Sequence, residues 1–479
     1  MKLSFLRRAG IVAALATTLL SGGTALANGR FPASNALQFS AADPNLVILR
    51  VTFGLLVSHD RGKTFRWTCE QSVGFSGNED PMYTVTPSNL VLASTYEGIS
   101  RTTDQACNWA PIVDPASGLA KQVFIDLAAS PNDGKDIVVF SSTYDRQDDA
   151  GNIVFASKLW ETKDEGSTWA RLGGDLDPQM LGYTLDLTKS DPNRLYVSAT
   201  KSPGTADSSG YLLTSTNRGT TWDELAVPFV NGETGLYIAA VDPTNAERVY
   251  LRTSNDVSKP SRLLLREAPA DGGPATIRTL YTGVAELLGF ALTPAGDKVY
   301  IGGPQDGLLV ASTSDFQFQK RSDVEIQCLA LADDGVWACS SETSGFIAGV
   351  SKDDGATFEP LVRFCSIQGP LTCPAGSGSS TQCDGLWPQL RASLGCDSAG
   401  DASVADAGAS PAAAPSGDSG CGSRVSTSTP WGALLALAAA AFAVTRRRQP
   451  RETFTSTRRS DRDVVSSDAA HCRRCHRRG

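Results

Sequence analysis

The residue types that carry most enzyme chemistry are scarce in this chain, and histidine is the clearest case. The three histidines are His59, His471 and His476, and the last two lie near the C-terminus. His59, within the main domain, occupies a variable position of a repeated turn motif, so neither a Ser-His-Asp site nor a histidine-bound metal is expected there. We predict no metal site and no cofactor.

Carboxylates remain as candidate catalytic groups. Glu79, Asp80 and Asp175 lie between short apolar runs, where loops are expected. A pair of Asp or Glu side chains across a cleft is sufficient for glycoside hydrolysis. Hydrolysis of a glycosidic bond is therefore the enzymatic chemistry that this composition allows.

The elements that must position these residues are repeats. Five segments share the pattern S/T-x-D/N-x-G-x-T-W/F, and we number them as box 1 (58–65), box 2 (102–109), box 3 (162–169), box 4 (215–222) and box 7 (351–358). Box 2 is degraded at its Gly and Thr positions. A sixth copy around Thr313 and Asp315 has lost the Gly, and the remaining gap fits one more unit near Leu265. The chain therefore contains seven repeat units.

Each unit contains short β-branched runs separated by turns such as Asp43-Pro44 and Asp191-Pro192. Such runs and turns predict strands. Four strands in each of seven units predict an all-β protein, a seven-bladed β-propeller of four-stranded blades, over residues 28–363. A small Cys-rich segment (364–396) and one hydrophobic C-terminal helix are expected after it.

The box resembles the Asp-box, or BNR repeat, of sialidases, sortilin-type receptors and some glycoside hydrolases, over about residues 36–363. The resemblance implies a structural role, in which Ser/Thr and Asp bond the turn between strands 3 and 4, Gly adopts positive φ, and Trp or Phe packs between blades. These residues are therefore interpreted as structural: Ser58, Asp60, Gly62, Thr64, Asp104, Trp109, Asp164, Gly166, Trp169, Asn217, Gly219, Trp222, Asp353, Gly355 and Phe358.

Propeller geometry separates two faces. The strand 1–2 turns and the boxes lie on one face, which we call the box face, and the strand 2–3 and 4–1 connections lie on the other, the loop face. Long strand 2–3 insertions are expected at residues 144–152 and 202–210. Adjacent long loops predict a recognition surface. Its candidate binding residues are Tyr144, Asp145, Arg146, Asp148, Asp149 and Asn152.

Two functions follow, and binding is the preferred one. The first is a binding module for a glycan or protein ligand at the cell surface; the second is a sialidase- or xyloglucanase-like glycoside hydrolase. Sialidases of this repeat family need a Phe-Arg-Ile-Pro strand, which Arg30-Phe31-Pro32 does not reproduce.

Between the basic ends, residues 28–445 hold 29 basic and 47 acidic residues. This balance disfavours nucleic acid as a partner.

Eleven cysteines predict disulfides in an exported protein. Cys328 and Cys339 flank a tight turn and should face each other across a hairpin. Cys69 and Cys107 are expected in the fourth strands of units one and two, close enough to be candidate partners for each other. The remaining candidates form one block with three alternative pairings: Cys365, Cys373, Cys383 and Cys396.

The N-terminus predicts a signal peptide over residues 1–27. Lys2, Arg7 and Arg8 form a basic region, an apolar segment follows, and the Ala25-Leu26-Ala27 motif predicts cleavage after Ala27. The mature protein is therefore expected outside the cytoplasm.

The C-terminus predicts attachment to the cell envelope. Residues 397–429 are rich in Ala, Ser, Gly and Pro and are predicted to be a disordered linker. The apolar segment within 430–448 ends in three arginines, which predicts a membrane helix with the propeller outside. Residues 449–479 are expected to form a basic disordered tail. In it, Cys472, Cys475 and His476 match a haem attachment pattern, which we reject because the tail is expected inside the cytoplasm.

Gly420-Cys421-Gly422, the short apolar helix and the arginine cluster together resemble the C-terminal sorting signals of myxobacterial surface proteins. The resemblance implies that a sorting protease processes the chain near Cys421 and that the protein is retained at the cell surface. A plain membrane tail anchor is the alternative.

Overall fold

A computed structural model describes residues 32–396, except residues 78, 115, 257 and 270–272. These residues fold into seven four-stranded antiparallel sheets, whose strands pair in their order along the chain. The first strand of each sheet contacts the first strand of the next, and the seventh sheet contacts the first, so the sheets close into a ring. The predicted all-β propeller with seven four-stranded blades is confirmed.

The first four blades are built from sixteen consecutive strands. Blade 1 contains β1 (Ser34–Phe39), β2 (Val47–Val51), β3 (Gly54–Ser58) and β4 (Arg66–Thr68). Blade 2 contains β5 (Tyr83–Val85), β6 (Val91–Thr95), β7 (Gly98–Thr102) and β8 (Ala110–Pro111). Blade 3 contains β9 (Phe124–Ala129), β10 (Ile137–Gln147), β11 (Ile153–Thr162) and β12 (Ala170–Leu172). Blade 4 contains β13 (Met180–Leu187), β14 (Leu195–Lys201), β15 (Ser209–Ser215) and β16 (Asp223–Pro228).

The last three blades complete the ring. Blade 5 contains β17 (Gly235–Val241), β18 (Val249–Ser254), β19 (Arg262–Glu267) and β20 (Thr276–Thr282). Blade 6 contains β21 (Gly289–Leu292), β22 (Lys298–Gly303), β23 (Gly307–Ser312) and β24 (Gln319–Ser322). Blade 7 contains β25 (Cys328–Ala332), β26 (Gly335–Cys339), β27 (Ala348–Ser351) and β28 (Glu359–Val362). The short helices are α1 (Glu70–Val73), α2 (Gly378–Cys383) and α3 (Trp387–Ser393), with 3-10 turns at Glu342–Ser344 and Phe364–Ser366.

Each box forms a tight hydrogen-bonded turn between strands 3 and 4. In box 3, one carboxylate oxygen of Asp164 accepts from the Thr168 N–H and the Thr162 hydroxyl, both at 2.8 Å. The other oxygen accepts from the Thr168 hydroxyl at 2.7 Å. The Thr162 hydroxyl in turn accepts from the N–H of Gly166, whose φ is 85°. The box side chains are therefore occupied in holding the turn.

The other boxes repeat this arrangement. Asp60, Asp104 and Asp353 accept the same backbone N–H four residues later, and so does the side-chain oxygen of Asn217. Hydrogen bonds from the hydroxyl and N–H of Thr357 lower the pKa of Asp353 to about 2. A carboxylate held in its ionised form by such bonds stabilises the turn at neutral pH.

The fourth residue of four of the boxes links its blade to the preceding one. These residues have positive φ, between 55° and 65°, and their side chains reach the preceding blade: Arg61, Glu165, Arg218 and Asp354. Their partners are Asp334 in blade 7 (3.0 Å), Thr86 in blade 2 (2.7 Å), Glu161 in blade 3 (2.9 Å) and Lys298 in blade 6 (3.0 Å). The repeat pattern treats this position as variable, so its role is visible only in the structure.

Residues 364–396 form a covalent clasp on the outside of blade 1. The Trp67 N–H donates to the Gly369 carbonyl at 2.9 Å, and the Leu371 N–H donates to the Trp67 carbonyl at 2.7 Å. The Trp387 ring, at the start of α3, lies 5.8 Å from the Trp67 ring. The clasp therefore continues blade 1 with residues from the opposite end of the domain.

The disulfides confirm one predicted pair and correct another. Cys328 and Cys339 are bonded across β25 and β26, as predicted. The predicted Cys69–Cys107 pair is wrong, because the clasp lies between the two cysteines and bonds each of them. Within the clasp itself only one pair forms, so the prediction that its four cysteines pair among themselves is also wrong. The bonds are Cys69–Cys383, Cys107–Cys373 and Cys365–Cys396.

Four disulfides indicate an exported protein, since such bonds persist in oxidising compartments. Among the described residues, no helix has the length and apolar character needed to cross a membrane. The predicted signal peptide (1–27, with Ala27), linker (397–429, with Cys421), anchor (430–448) and tail (449–479) lie outside the described residues.

We predict that Gly355→Ala, in box 7, lowers the free energy of unfolding by about 2–4 kcal/mol. The new Cβ would lie 2.1 Å from Leu308, a fully buried residue of blade 6, and Gly355 has a φ of 85°. Gly204→Ala is the control, because Gly204 has a φ of 78° but open space around it. Chemical denaturation followed by tryptophan fluorescence measures both. Equal losses in the two variants would contradict the argument from packing between blades.

The two disulfides between the clasp and the blades should be non-additive. When one of these bridges is present, forming the second closes only a short additional loop. When neither is present, the first bridge to form closes a loop of 266 residues (Cys107–Cys373) or 314 residues (Cys69–Cys383). Chain entropy then predicts a loss of about 4 kcal/mol for each single removal, and a double loss about 2 kcal/mol larger than the sum. Paired Cys→Ser variants measure this by denaturation. Removing Cys328–Cys339, which closes an 11-residue loop, is the additive control.

Candidate functional site

A cavity of about 620 Å³ opens at the centre of the loop face. Its wall is formed by residues in or just before the first strands of blades 1 to 5 and by one second-strand residue from each of blades 1, 2, 3 and 5. Because first strands surround the axis and start on the loop face, this cavity is the mouth of the central channel. The site is therefore assembled from five blades.

Two tyrosines and an arginine form one side of the cavity. The rings of Tyr183 and Tyr237, from β13 and β17, lie 5.1 Å apart. The guanidinium of Arg252 lies over the Tyr237 ring at 4.7 Å and donates to the Leu287 carbonyl at 3.2 Å. Burial lowers the pKa of Arg252. This side of the cavity offers aromatic surface and a partly desolvated cation to a ligand.

The opposite side is held by Arg50 of β2. Its Nε donates to the Asn35 side-chain oxygen at 2.7 Å, and its Nη1 donates to the Pro81 carbonyl at 3.0 Å. These bonds fix the connection from blade 1 to blade 2, which carries Glu79 and Asp80 to the cavity wall. Arg50 is therefore a positioning residue for the acidic side of the cavity.

Buried carboxyl groups line or adjoin the cavity. Burial raises the pKa of Glu79, one oxygen of which accepts from the Tyr96 N–H at 2.6 Å. Burial also raises the pKa of Asp126 to about 7, against the effect of two backbone N–H donors, Leu127 and Leu185, each at 2.8 Å. Asp126 bonds the first strands of blades 3 and 4 together, so its role is structural.

All of the large hydrophobic side chains that are exposed in the described part of the chain lie on the loop face. None of them falls in a strand 1–2 turn or a box. Val113, Val230 and Val284 lie in strand 4–1 connections, Tyr96 lies in a strand 2–3 turn, and Tyr144 and Ile153 lie near the tip of the β10–β11 hairpin. Exposed large apolar side chains are therefore confined to one face in the described part of the chain.

The two faces also differ in charge. The strand 2–3 and 4–1 connections of the loop face contain seventeen Asp and Glu residues but only two lysines, Lys121 and Lys259. The strand 1–2 turns and the boxes contain a similar number of acidic residues together with nine Lys and Arg residues. Lys and Arg side chains outside the connections form ion pairs with six of the loop-face acids, which are Asp175, Asp177, Glu233, Glu286, Asp323 and Glu342. The connections themselves carry an excess of negative charge.

The predicted insertion in unit three is an extended hairpin. Strands β10 and β11 continue to Gln147 and from Ile153, so only residues 148–152 form the turn. Asp148 accepts from the Asn152 N–H at 2.7 Å and from the Asn152 side chain at 3.0 Å, which holds that turn. Asp145 and Arg146 form an ion pair with each other.

The structure therefore does not bring the predicted binding residues to the cavity wall. Tyr144 is exposed, with 58% of its surface accessible, and Asp149 is also exposed. Asp148 and Asn152 are occupied by the turn. The hairpin thus contributes an apolar and acidic tip to the loop face and leaves the cavity to other residues.

The candidate catalytic carboxylates lie in different places. Glu79 and Asp80 line the cavity, but Asp175 does not. Asp175 is instead bonded to Arg171 at 2.8 Å, with Lys158 at 3.9 Å. His59 lies on the box face. No group of three or more His, Cys, Asp or Glu side chains suited to hold a metal ion occurs among the described residues.

Tyr183, Tyr237 and Arg252 were not predicted from the sequence. The two tyrosines lie near the start of the first strands of neighbouring blades, in the runs MLGYTLDL and GLYIAAV. Each tyrosine lies four residues before the end of its strand. Counted from the Asp-Pro turn, however, Tyr183 lies eight residues before Asp191 and Tyr237 five residues before Asp242, so the turns of the sequence do not align the two.

No family model matches the sequence, and no curated protein matches it. Among solved structures, a GH74 enzyme described as ancestral has a TM-score of 0.50 and 16% identity, over 70% of this chain and 46% of that one. The GH74 xyloglucanase of Xanthomonas campestris has a TM-score of 0.41 and 18% identity, over 71% and 53%. YCF48 from Cyanidioschyzon merolae has a TM-score of 0.43 and 13% identity, over 64% and 92%.

The similarity to the ancestral GH74 enzyme is one of fold and agrees with the seven-bladed ring. This chain spans about half the length of the two GH74 structures that it matches. The activity of those proteins does not transfer with the fold, so the function of this chain follows from its own surface.

The buried carboxyl groups predict maximal stability at acidic pH. Burial raises the folded-state pKa of Asp126 to about 7 and that of Asp186 to about 6, so the folded state binds more protons than the unfolded chain between about pH 4 and 7. Their contribution is complete below about pH 4 and is lost as the pH rises. Asp353, with a lowered pKa, contributes above about pH 4 and loses its contribution at lower pH.

The melting temperature should therefore be highest near pH 4–5 and should fall towards pH 8. Asp126 contributes on the order of 4 kcal/mol to this difference, so Asp126→Asn should flatten the curve between pH 5 and 7. Calorimetry across this range measures both proteins. A wild-type melting temperature that rises from pH 5 to pH 8 would show that the sign is wrong.

Proposed function

We propose that this protein is an exported binding module whose loop face holds a carbohydrate or protein ligand. The observation that carries the proposal is the position of the exposed large hydrophobic side chains, which are all on the loop face in the described residues. Packing within the fold does not account for these side chains, because between 40% and 69% of the surface of each is accessible to solvent. Ligand contact provides a reason for it.

The cavity supports the same proposal. Tyr183, Tyr237 and Arg252 offer flat aromatic surface beside a cation, while Tyr96 lies half exposed at the rim. Aromatic side chains with a polar end are suited to ligands that present both apolar and hydrogen-bonding groups, such as sugars and peptides. We assign the cavity as the centre of the binding face and the surrounding loops as its periphery.

A glycoside hydrolase is the second candidate. The observation that favours it is Glu79, a buried carboxyl with a raised pKa in the cavity wall, as a general acid requires. A hydrolase also needs a second carboxylate across the cleft. Asp126 is bonded by two backbone N–H groups, and Asp175 is outside the cavity wall. The candidate left for the second carboxylate is Asp80, which adjoins Glu79 on the same side of the cavity and not across it. The binding module is therefore preferred.

Attachment at the cell envelope is part of the proposal. The last described residue, Cys396, is bonded to Cys365, three residues beyond the end of β28. The chain therefore leaves the propeller at the seam between blades 7 and 1. The predicted linker, hydrophobic helix and sorting signal at Cys421 would hold the propeller outside the cell, through the membrane or after cleavage by a sorting protease.

A photo-crosslinking residue placed on either face tests the proposal and does not require the ligand to be identified first. We expect benzoylphenylalanine at Tyr96 or Tyr144 to form adducts with envelope components in producing cells. The matched positions His59 and Gln317 are exposed on the box face and should give none. Adducts formed equally from both faces, or from neither, would contradict a dedicated binding face.

An activity assay on the same protein tests the hydrolase candidate. It measures the release of sugar from xyloglucan and from sialylated oligosaccharides. The binding proposal expects no product. Release that is abolished by Glu79→Gln, with the melting temperature retained, would instead establish the enzyme.

A further inference from the structure

We propose that the partner of the loop face is a cationic polypeptide segment that also carries apolar side chains. The inference rests on the proposed function, because it names the chemistry of the ligand for that face. It is carried by two properties that coincide on the loop face: exposed apolar side chains and a large excess of acidic residues.

Apolar and acidic residues alternate along the loops. Tyr96 is followed by Glu97, Val113 by Asp114 and Tyr144 by Asp145. The same adjacency occurs in the connection after blade 5, where Val284 lies two residues before Glu286. A carboxylate therefore lies within two residues of four of the six exposed apolar side chains, and one of these carboxylates, Glu286, is paired with Arg252 at 3.9 Å. Lys or Arg side chains interleaved with apolar ones complement such a surface.

Several acidic residues of the box face link neighbouring blades, as in the ion pairs Arg61–Asp334, Arg218–Glu161 and Lys298–Asp354. On the loop face, Glu97, Asp149 and Asp207 are exposed in strand 2–3 turns. These three carboxylates are open to solvent, where they attract cations over about 8 Å at physiological ionic strength.

Charge also excludes other classes of partner. Nucleic acids and membranes rich in anionic lipid would be repelled by seventeen carboxylates opposed by two lysines in the loops. The hydroxyls of a neutral glycan can donate hydrogen bonds to these carboxylates, but such a ligand makes no use of their charge. A cationic polypeptide uses both the charge and the apolar side chains, so it is the class to which we commit.

The test uses three labelled peptides, each of five repeats: Lys-Leu-Gly, Lys-Ser-Gly and Glu-Leu-Gly. Fluorescence anisotropy with the purified protein should give the tightest binding for Lys-Leu-Gly. Lys-Ser-Gly should bind roughly tenfold more weakly, and Glu-Leu-Gly should not bind. Equal binding of the Lys and Glu peptides, or no binding of any of them, would overturn the proposal.

Matched variants locate the site. Glu97→Gln with Asp149→Asn and Asp133→Asn with Asp333→Asn each remove two exposed negative charges, the first pair on the loop face and the second on the box face. We expect roughly tenfold weaker Lys-Leu-Gly binding for the first pair and less than about twofold for the second. Equal effects would mean that only net charge acts, and would reject a docking surface.

The apolar contribution is tested by Tyr144→Ser with Ile153→Ser. This variant should weaken binding of Lys-Leu-Gly but leave Lys-Ser-Gly unchanged, and all variants should keep the wild-type melting temperature because the altered residues are exposed. If crosslinks still form at Tyr96 while no peptide binds, the loop face keeps its binding role and the cationic polypeptide is wrong. If neither is observed, both proposals fail.

Discussion

The structure depends on closing a ring of seven blades without a strand shared between the first and the last. Blade 1 comes entirely from the beginning of the described chain and blade 7 entirely from residues 328–362. Their interface is formed by side chains, including the Phe39 and Trp337 rings 5.1 Å apart. The clasp then bonds covalently to blades 1 and 2, which prevents the first blades from separating from the last.

Closure leaves the two faces with different tasks. On the box face, the repeated turns bond themselves internally and their fourth residues reach the preceding blade, so the polar groups there are used within the fold. The loop face has no repeated motif of this kind. Its connections differ in length and sequence, and they can carry exposed tyrosines and carboxylates around the cavity. Binding is proposed on the face that the fold does not need for its own stability.

The fold could be predicted from the sequence because its rule is local and repeated. The spacing of Asp60, Asp164 and Asp353 within their boxes reflects hydrogen bonds that close within four residues, so each copy contains its own signal. The Cys328–Cys339 pair was predictable for the same reason, since it spans one hairpin. Contacts made within a short segment leave a pattern that can be read along the chain.

The cavity and the clasp obey no such local rule. Tyr183 and Tyr237 meet because two blades place equivalent strand positions side by side, and Arg252 joins them from a third strand. The sequence favours a bond between Cys69 and Cys107 because they lie in neighbouring units. In the structure, both are instead bonded to a segment that returns from the end of the domain. Partners separated by several hundred residues are determined by three-dimensional closure, which the spacing of residues does not record.

The clasp also has a consequence for how this protein is made. Export that starts at the N-terminus would deliver Cys69 and Cys107 to the oxidising side before Cys373 and Cys383. A bond formed between the first two at that stage would be non-native, and thiol–disulfide exchange would have to open it. The native bonds of the clasp therefore require the last part of the domain to be present.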